Sequence, residues 1–94
     1  ENALNTLGYE LLNADHLNEA IECFRLNAEL FPESFNVYDS LAEGYLIQGD
    51  RERAEAFYRK SLEVFPGNVN ATEKLRELAV QSEPAEKRQR IIPD

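Results

Sequence analysis

The residues able to do chemistry in this chain are few in kind. One histidine, His16, and one cysteine, Cys23, stand seven positions apart. A cysteine beside a histidine is the pair that makes an activated thiolate nucleophile. Here the two straddle a predicted helix start, and the spacing does not bring them together. Cys23 reads as a small apolar helix residue and His16 as a solvated turn residue. A single cysteine also excludes an internal disulfide and a multi-cysteine metal site. There is no glycine-rich phosphate loop and no histidine–carboxylate metal spacing. Carboxylates are abundant, 18 Asp and Glu against 10 Lys and Arg. They fall at helix-surface spacing, as in Glu52, Glu55 and Arg59, where they serve as solvated faces or ion-pair partners. The sequence therefore leads us to expect no catalytic residue, no metal and no cofactor, and a chain that is not an enzyme by itself. What remains is the chemistry of recognition. Asn2, Asn36 and Asn70 recur at a constant interval of 34 residues. Each carries an amide that both donates and accepts hydrogen bonds.

Charge narrows the partners. The net charge is −8, and residues 1–80 supply all of it, with 15 acids and 7 bases. An acidic body repels phosphate backbones, so nucleic acid is not an expected partner. The basic run Lys87, Arg88 and Arg90 is too small to reverse that and reads as a solvated tail. No apolar run approaches the roughly 18–20 residues that a membrane-spanning helix needs, and no signal peptide is visible. The sequence starts at Glu1 and has no methionine, so a piece of a longer protein, or a processed chain, is expected. The compartment, cytoplasmic or periplasmic, is left open.

The asparagine interval belongs to an internal repeat. Setting residue 1 on residue 35 makes eight of 34 positions identical, among them Leu7/Leu41, Leu12/Leu46, Ala20/Ala54, Arg25/Arg59, Phe31/Phe65 and Pro32/Pro66. A third copy opens at Val69, with Asn70 and Leu75 in register, and stops after one helix. Leu4, Leu7, Leu11 and Leu12 form one helical stripe, as do Tyr38, Leu41, Tyr45 and Leu46. Helices are expected over 2–14, 16–30, 35–48, 51–64 and 69–80. Asp15 and Asp50 are placed to cap the second helix of each pair, Ser34 and Asn68 the helix that follows. Gly49 suits the turn inside the second pair, and Pro32 and Pro66 end the second helices. Gly8 with Ala20, and Ala42 with Ala54, mark close helix crossings. Arg76 takes the matching place in the third copy, where no further helix crowds it, as in a terminal capping helix.

Length and residue pattern together resemble the tetratricopeptide repeat, whose 34-residue unit carries W-x2-L-G-x2-Y, then A-x3-F, then P. The first copy supplies Leu4, Leu7, Gly8, Leu11, Ala20, Phe24 and Pro32. The second supplies Tyr38, Leu41, Ala42, Tyr45, Ala54, Tyr58 and Pro66. Tryptophan is absent, and large apolar residues hold its place. The resemblance implies an all-α, right-handed solenoid fragment. Its domain spans 1–80, as repeats 1–34 and 35–68 and a capping helix 69–80, with a polar tail over 81–94. It also implies a concave face built from the first helix of each pair, the A helices. The residues it places there are Asn2, Asn5, Tyr9, Leu12 and Asn13, then Asn36, Asp39, Glu43, Leu46 and Ile47, then Asn70 and Glu73. Some members hold a C-terminal carboxylate with a cationic clamp. The matching places here are Asn5, Tyr9, Ser40, Asn70 and Lys74, with one cation among them and acids beside them, so that function is rejected.

A narrower likeness lies in "FRLNAELFPESFNVYDSLAEGYLIQGD", with Asn27 where the general repeat has alanine. Residues 5–78 resemble the paired repeats at the C-terminus of bacterial serine hydrolases of the β-lactamase/esterase type. The catalytic residues of such enzymes are not in this chain. The expected function is a protein-interaction module that binds a peptide segment or a partner domain on the concave face. The alternatives are an oligomerisation domain and an accessory domain of an upstream hydrolase. Ile91 and Ile92 raise the further expectation that the tail packs on a repeat surface, of this chain or of a second copy.

Overall fold

Five helices follow one another through short turns: α1 (Asn2–Asn13), α2 (Leu17–Leu30), α3 (Phe35–Gln48), α4 (Arg51–Val64) and α5 (Val69–Ser82). This is a computed structural model, and it describes residues 1–82; the tail features Lys87, Arg88, Arg90, Ile91 and Ile92 lie outside the described residues. There is no strand among the described residues. Each helix bound lies within two residues of its expected place, and α5 runs on to Ser82. Each helix packs on the next, and α1 also meets α3, so the A helices α1, α3 and α5 succeed one another along one side.

The two turns inside the pairs are built alike, and they correct one expectation. Asp15 N–H donates to Leu12 O and His16 N–H to Leu11 O, at 3.1 and 2.8 Å; Gly49 and Asp50 repeat this to Leu46 and Tyr45 at 3.1 and 2.9 Å. These are Schellman-type endings, which need a left-handed residue just past the helix. Gly49 fills that place with φ 93°, and Asp15 fills its counterpart with φ 61°. Aspartate is among the few residues that tolerate this conformation. Asp15 is therefore the turn residue and not a cap. The cap position falls on His16, which makes no side-chain cap bond and pairs its Nδ1 with Glu19 at 3.3 Å. Asp50 does cap α4, accepting from Arg53 N–H at 3.1 Å. That bond, then the guanidinium of Arg53, holds its carboxyl below the usual range.

The small residues do what their spacing foretells. Ala20, Ala42 and Ala54 are fully buried. A Cβ added to Gly8 would run into the ring of Phe24, itself 0% exposed. Gly44 is similarly close-packed, with Ile21 Cγ1 3.1 Å from where its Cβ would be. Phe24, Leu41, Val37 and Tyr58 form the centre of the core, and each large apolar side chain so buried contributes about 1.5–3 kcal/mol. On the far side, Phe57 stacks between Tyr38 and Tyr45, at 6.4 and 5.7 Å between ring centres. Arg76 is exposed.

Candidate interaction face

A polar joint at the start of each A helix positions the inner face. In the first repeat the buried Asn27 donates from Nδ2 to Glu1 O at 2.9 Å. In the second, Ser61 stands at the same repeat place and donates from Oγ to Phe35 O at 3.1 Å. The second helix of each pair, the B helix (α2 or α4), thus clasps the start of its A helix through a buried side chain, because those early carbonyls lie against it. The next joint differs between repeats. Asn68 is 5% exposed and donates to Ser61 Oγ at 2.7 Å and to the Asp39 carboxylate at 2.9 Å. Its Oδ1 accepts from Ala71 N–H at 3.3 Å, which caps α5 as expected. Ser34, the counterpart of Asn68, makes no cap bond; its hydroxyl donates to the Glu1 carboxylate at 2.7 Å. A serine side chain is too short to reach both the helix start and the buried Asn27, whose Oδ1 finds no partner among the described residues.

The predicted face residues fall on three neighbouring helices, and hydrogen bonds tie them into one surface. Ser40 Oγ donates to Asn5 Oδ1 at 2.6 Å, and Tyr9 Oη donates to Glu43 Oε1 at 2.9 Å, both joining α1 to α3. Asp39 accepts from Asn68 and, at 3.3 Å, from Asn70 Nδ2, joining α3 to α5. Tyr9 is half-buried, its ring edge-on to Phe24 at 5.1 Å. Burial first, offset in part by its contact with Ser40, and then the charge of Glu43 push the Tyr9 hydroxyl above its ordinary pKa.

The other predicted residues divide by exposure. Asn2, Asn13, Ile47, Asn70 and Glu73 are exposed, and Asn36 is half-buried. Leu12 and Leu46 pack half-buried against the core, so of the adjacent pair Leu46–Ile47 only Ile47, 56% exposed, offers apolar surface. Of the three repeated asparagines, Asn70 is engaged with Asp39, whereas Asn2 and Asn36 have no side-chain hydrogen bond with a described residue.

Two face residues escaped the sequence reading. Glu77 stands 34 residues after Glu43 and 68 after Tyr9, so the repeat itself carried the signal. It is exposed and lies 3.7 Å from Lys74. Tyr58 is 1% exposed and comes from α4, yet its hydroxyl feels Glu43, Asp39, Tyr9 and Glu77, residues of all three A helices. Burial, then those carboxylates, push it well above its ordinary pKa. The repeat pattern marks this position only as core, because Phe24 fills it in the first copy.

No group of three or more His, Cys, Asp or Glu side chains among the described residues is placed to hold a metal. No hydrogen bond joins His16 to Cys23. No helix of the described residues is long and apolar enough to cross a membrane. Residues 35–68 match the family model described as tetratricopeptide repeat, in the same frame that the internal alignment sets for the second copy. No curated protein matches the chain.

Proposed function

We propose that this chain is a non-catalytic interaction module whose A-helix face binds a peptide segment or a partner domain. Tetratricopeptide repeats generally mediate protein–protein interaction, and the second repeat carries the family's pattern. The observation that carries the reading is the alignment of polar residues at matching repeat places on α1, α3 and α5: Asn2/Asn36/Asn70, Asn5/Asp39/Glu73 and Tyr9/Glu43/Glu77. Asn5, Tyr9, Asp39, Glu43 and Asn70 also tie the helices to one another, whereas no such bond engages Asn2, Asn36, Glu73 or Glu77. Several are exposed, and the free amides of Asn2 and Asn36 suit an extended backbone, which offers both a carbonyl and an N–H. Burial of a partner's apolar side chain against Ile47 would add the hydrophobic contribution. The test is photo-crosslinking in cells from Asn36 or Ile47, compared with Glu63 on α4. Adducts confined to the α3 probes, mapping to one segment of one partner, are expected. Equal capture from Glu63 would sink the assignment.

A second reading rests on a different surface. Leu26 and Leu30 on α2 are 45% and 58% exposed, and Phe31 beside them is 39% exposed. Such a patch suits docking against a larger domain or a second copy. It is what the oligomerisation alternative requires, and equally an accessory role beside a hydrolase domain. Loss of a stable oligomer, or of parent activity, in the Leu26→Lys variant would favour it. Lysine holds this place in the second repeat, at Lys60, so the fold tolerates the change.

A further inference from the structure

The outer edge of the first repeat presents a helix row that the second repeat keeps covered. Leu4, Leu7 and Leu11 of α1 correspond to Tyr38, Leu41 and Tyr45 of α3, 34 residues on. The α3 residues are 7%, 1% and 5% exposed. Their cover includes α2, whose Ile21 and Phe24 lie against Gly44 and whose Arg25 donates to the Tyr45 hydroxyl at 2.9 Å. On α1 no helix of the described residues covers the row. Leu7 is 43% exposed, and Leu4 and Leu11 are half-buried. The neighbouring helix carries the apolar surface further. Phe57 stacks over Tyr38 and Tyr45, and its counterpart in the first repeat is the smaller Cys23. Cys23 thus stands beside Leu4 and Leu11. Leu26 and Leu30, three and seven residues on, share its side of α2 and are exposed. The edge is therefore a shallow apolar groove between α1 and α2.

Two features decide what fits this groove. Glu10 holds the place of Gly44 and is exposed. At Gly44 a single added Cβ would already lie 3.1 Å from Ile21 Cγ1. A whole glutamate side chain at that place keeps a helix from approaching α1 as closely as α2 approaches α3, so a further repeat of the same kind does not fit. The second feature is charge. Residues 1–34 carry seven carboxylates and one basic residue, Arg25. Arg25 is engaged by Glu22 at 3.1 Å and by Tyr45. Two copies meeting edge to edge would set Glu10 and Glu19 against like charges, with no free lysine or arginine to answer them.

We infer that the α1–α2 edge receives an amphipathic helix of a partner protein, with leucine-like side chains in the groove and lysines or arginines beside Glu10 and Glu19. This rests on the second reading above, docking through the α2 patch, and names the chemistry of the partner; it does not depend on the A-helix face.

The probe is the acetylated, amidated peptide Lys-Leu-Ala-Lys-Leu-Leu-Lys-Ala-Leu-Lys-Lys-Leu-Ala-Lys, whose leucines share one helix face. One twin has glutamate for every lysine, and another has proline for the middle alanine, which breaks the helix. Binding to the full chain is followed by backbone amide shifts. The lysine peptide is expected to move Leu4, Leu7, Leu11, Leu26 and Leu30 most. Each twin should bind at least about tenfold more weakly. Leu26→Lys, which copies Lys60, should weaken the lysine peptide about three- to tenfold, and Glu10→Gln about two- to fivefold. Equal binding of the lysine and glutamate peptides, or of the proline twin, overturns this inference and leaves the second reading standing. So do concentration-dependent shifts at these residues in the chain alone, which would make a second copy the occupant. Shifts on α3 and α5 with the edge silent, or no binding at millimolar concentration, overturn it outright.

Discussion

Replacing Asn68 by alanine removes the most heavily connected polar side chain among the described residues. Three things go at once: the cap on α5 through Ala71 N–H, the donor to Ser61 Oγ, and the donor to the Asp39 carboxylate. Loss of the cap costs about 1 kcal/mol. A hydrogen bond to a charged group is worth about 1.5–3 kcal/mol, and the lower end applies because Asp39 is only half-buried. The loss at Ser61 is small, since its hydroxyl still donates to Phe35 O. The sum is about 2–3 kcal/mol. A domain of this size loses about 4–8 °C of Tm per kcal/mol, so a fall of about 10–20 °C is expected by calorimetry or circular dichroism. Ser34→Ala at the same place of the first repeat removes only an exposed hydrogen bond to Glu1, and its Tm should move by less than about 3 °C. Asn68→Ser should fall between the two. Equal losses at Asn68 and Ser34, or no loss at Asn68, would refute the account of the two joints.

Other consequences follow from the packing and the electrostatics. Ala54→Leu should overpack the fully buried crossing of α3 and α4 and cost about 1–3 kcal/mol; an unchanged melting temperature counts against the assigned register. Gly8→Ala should be destabilising as well, because its Cβ meets the Phe24 ring, whereas Gly8→Ala with Phe24→Leu should recover part of the loss. Tyr58 and Tyr9 have hydroxyls whose folded pKa is raised. The stability they add is full below the unfolded tyrosine value, about 10, and declines as pH rises from there toward the folded values. Tyr58→Phe should flatten that alkaline decline, and a decline of undiminished slope would show that Tyr58 is not its source.

The helices and their crossings were legible in the sequence, because each repeat states them twice. Leu41 under Leu7 and Ala54 under Ala20 fix which face turns inward, and a packing solution that serves one copy serves the other. The turns were harder to read. Asp15 has the chemistry of a cap, and cap preference suggested that role. Its true place follows only from setting it under Gly49, where the Schellman geometry requires a left-handed residue. Ser34 was likewise a cap by type, yet the nearby Glu1 carboxylate draws its hydroxyl away from the helix start.

The face was legible as ladders of repeat places, but not as a bonded surface. That Tyr9 reaches Glu43, and that Asp39 is taken up by Asn68, depends on how far one A helix is offset along the next. A 34-residue alignment contains no such offset. Tyr58 was out of reach for a related reason: a core position in the family's pattern hides a hydroxyl that protrudes beyond the core. The likeness to repeats carried by bacterial serine hydrolases rests on the wording of residues 5–78 alone and remains part of the proposal.

The central claim is that partners are held by the A-helix face. It is tested most directly by mapping backbone amide shifts of the intact chain while the partner segment identified by crosslinking is titrated in. The account predicts the largest changes at Asn36, Glu43, Ile47 and Glu77, with α2 and α4 nearly silent. Changes centred instead on Leu26, Leu30 and Lys60 would contradict it and move the binding surface to the B helices.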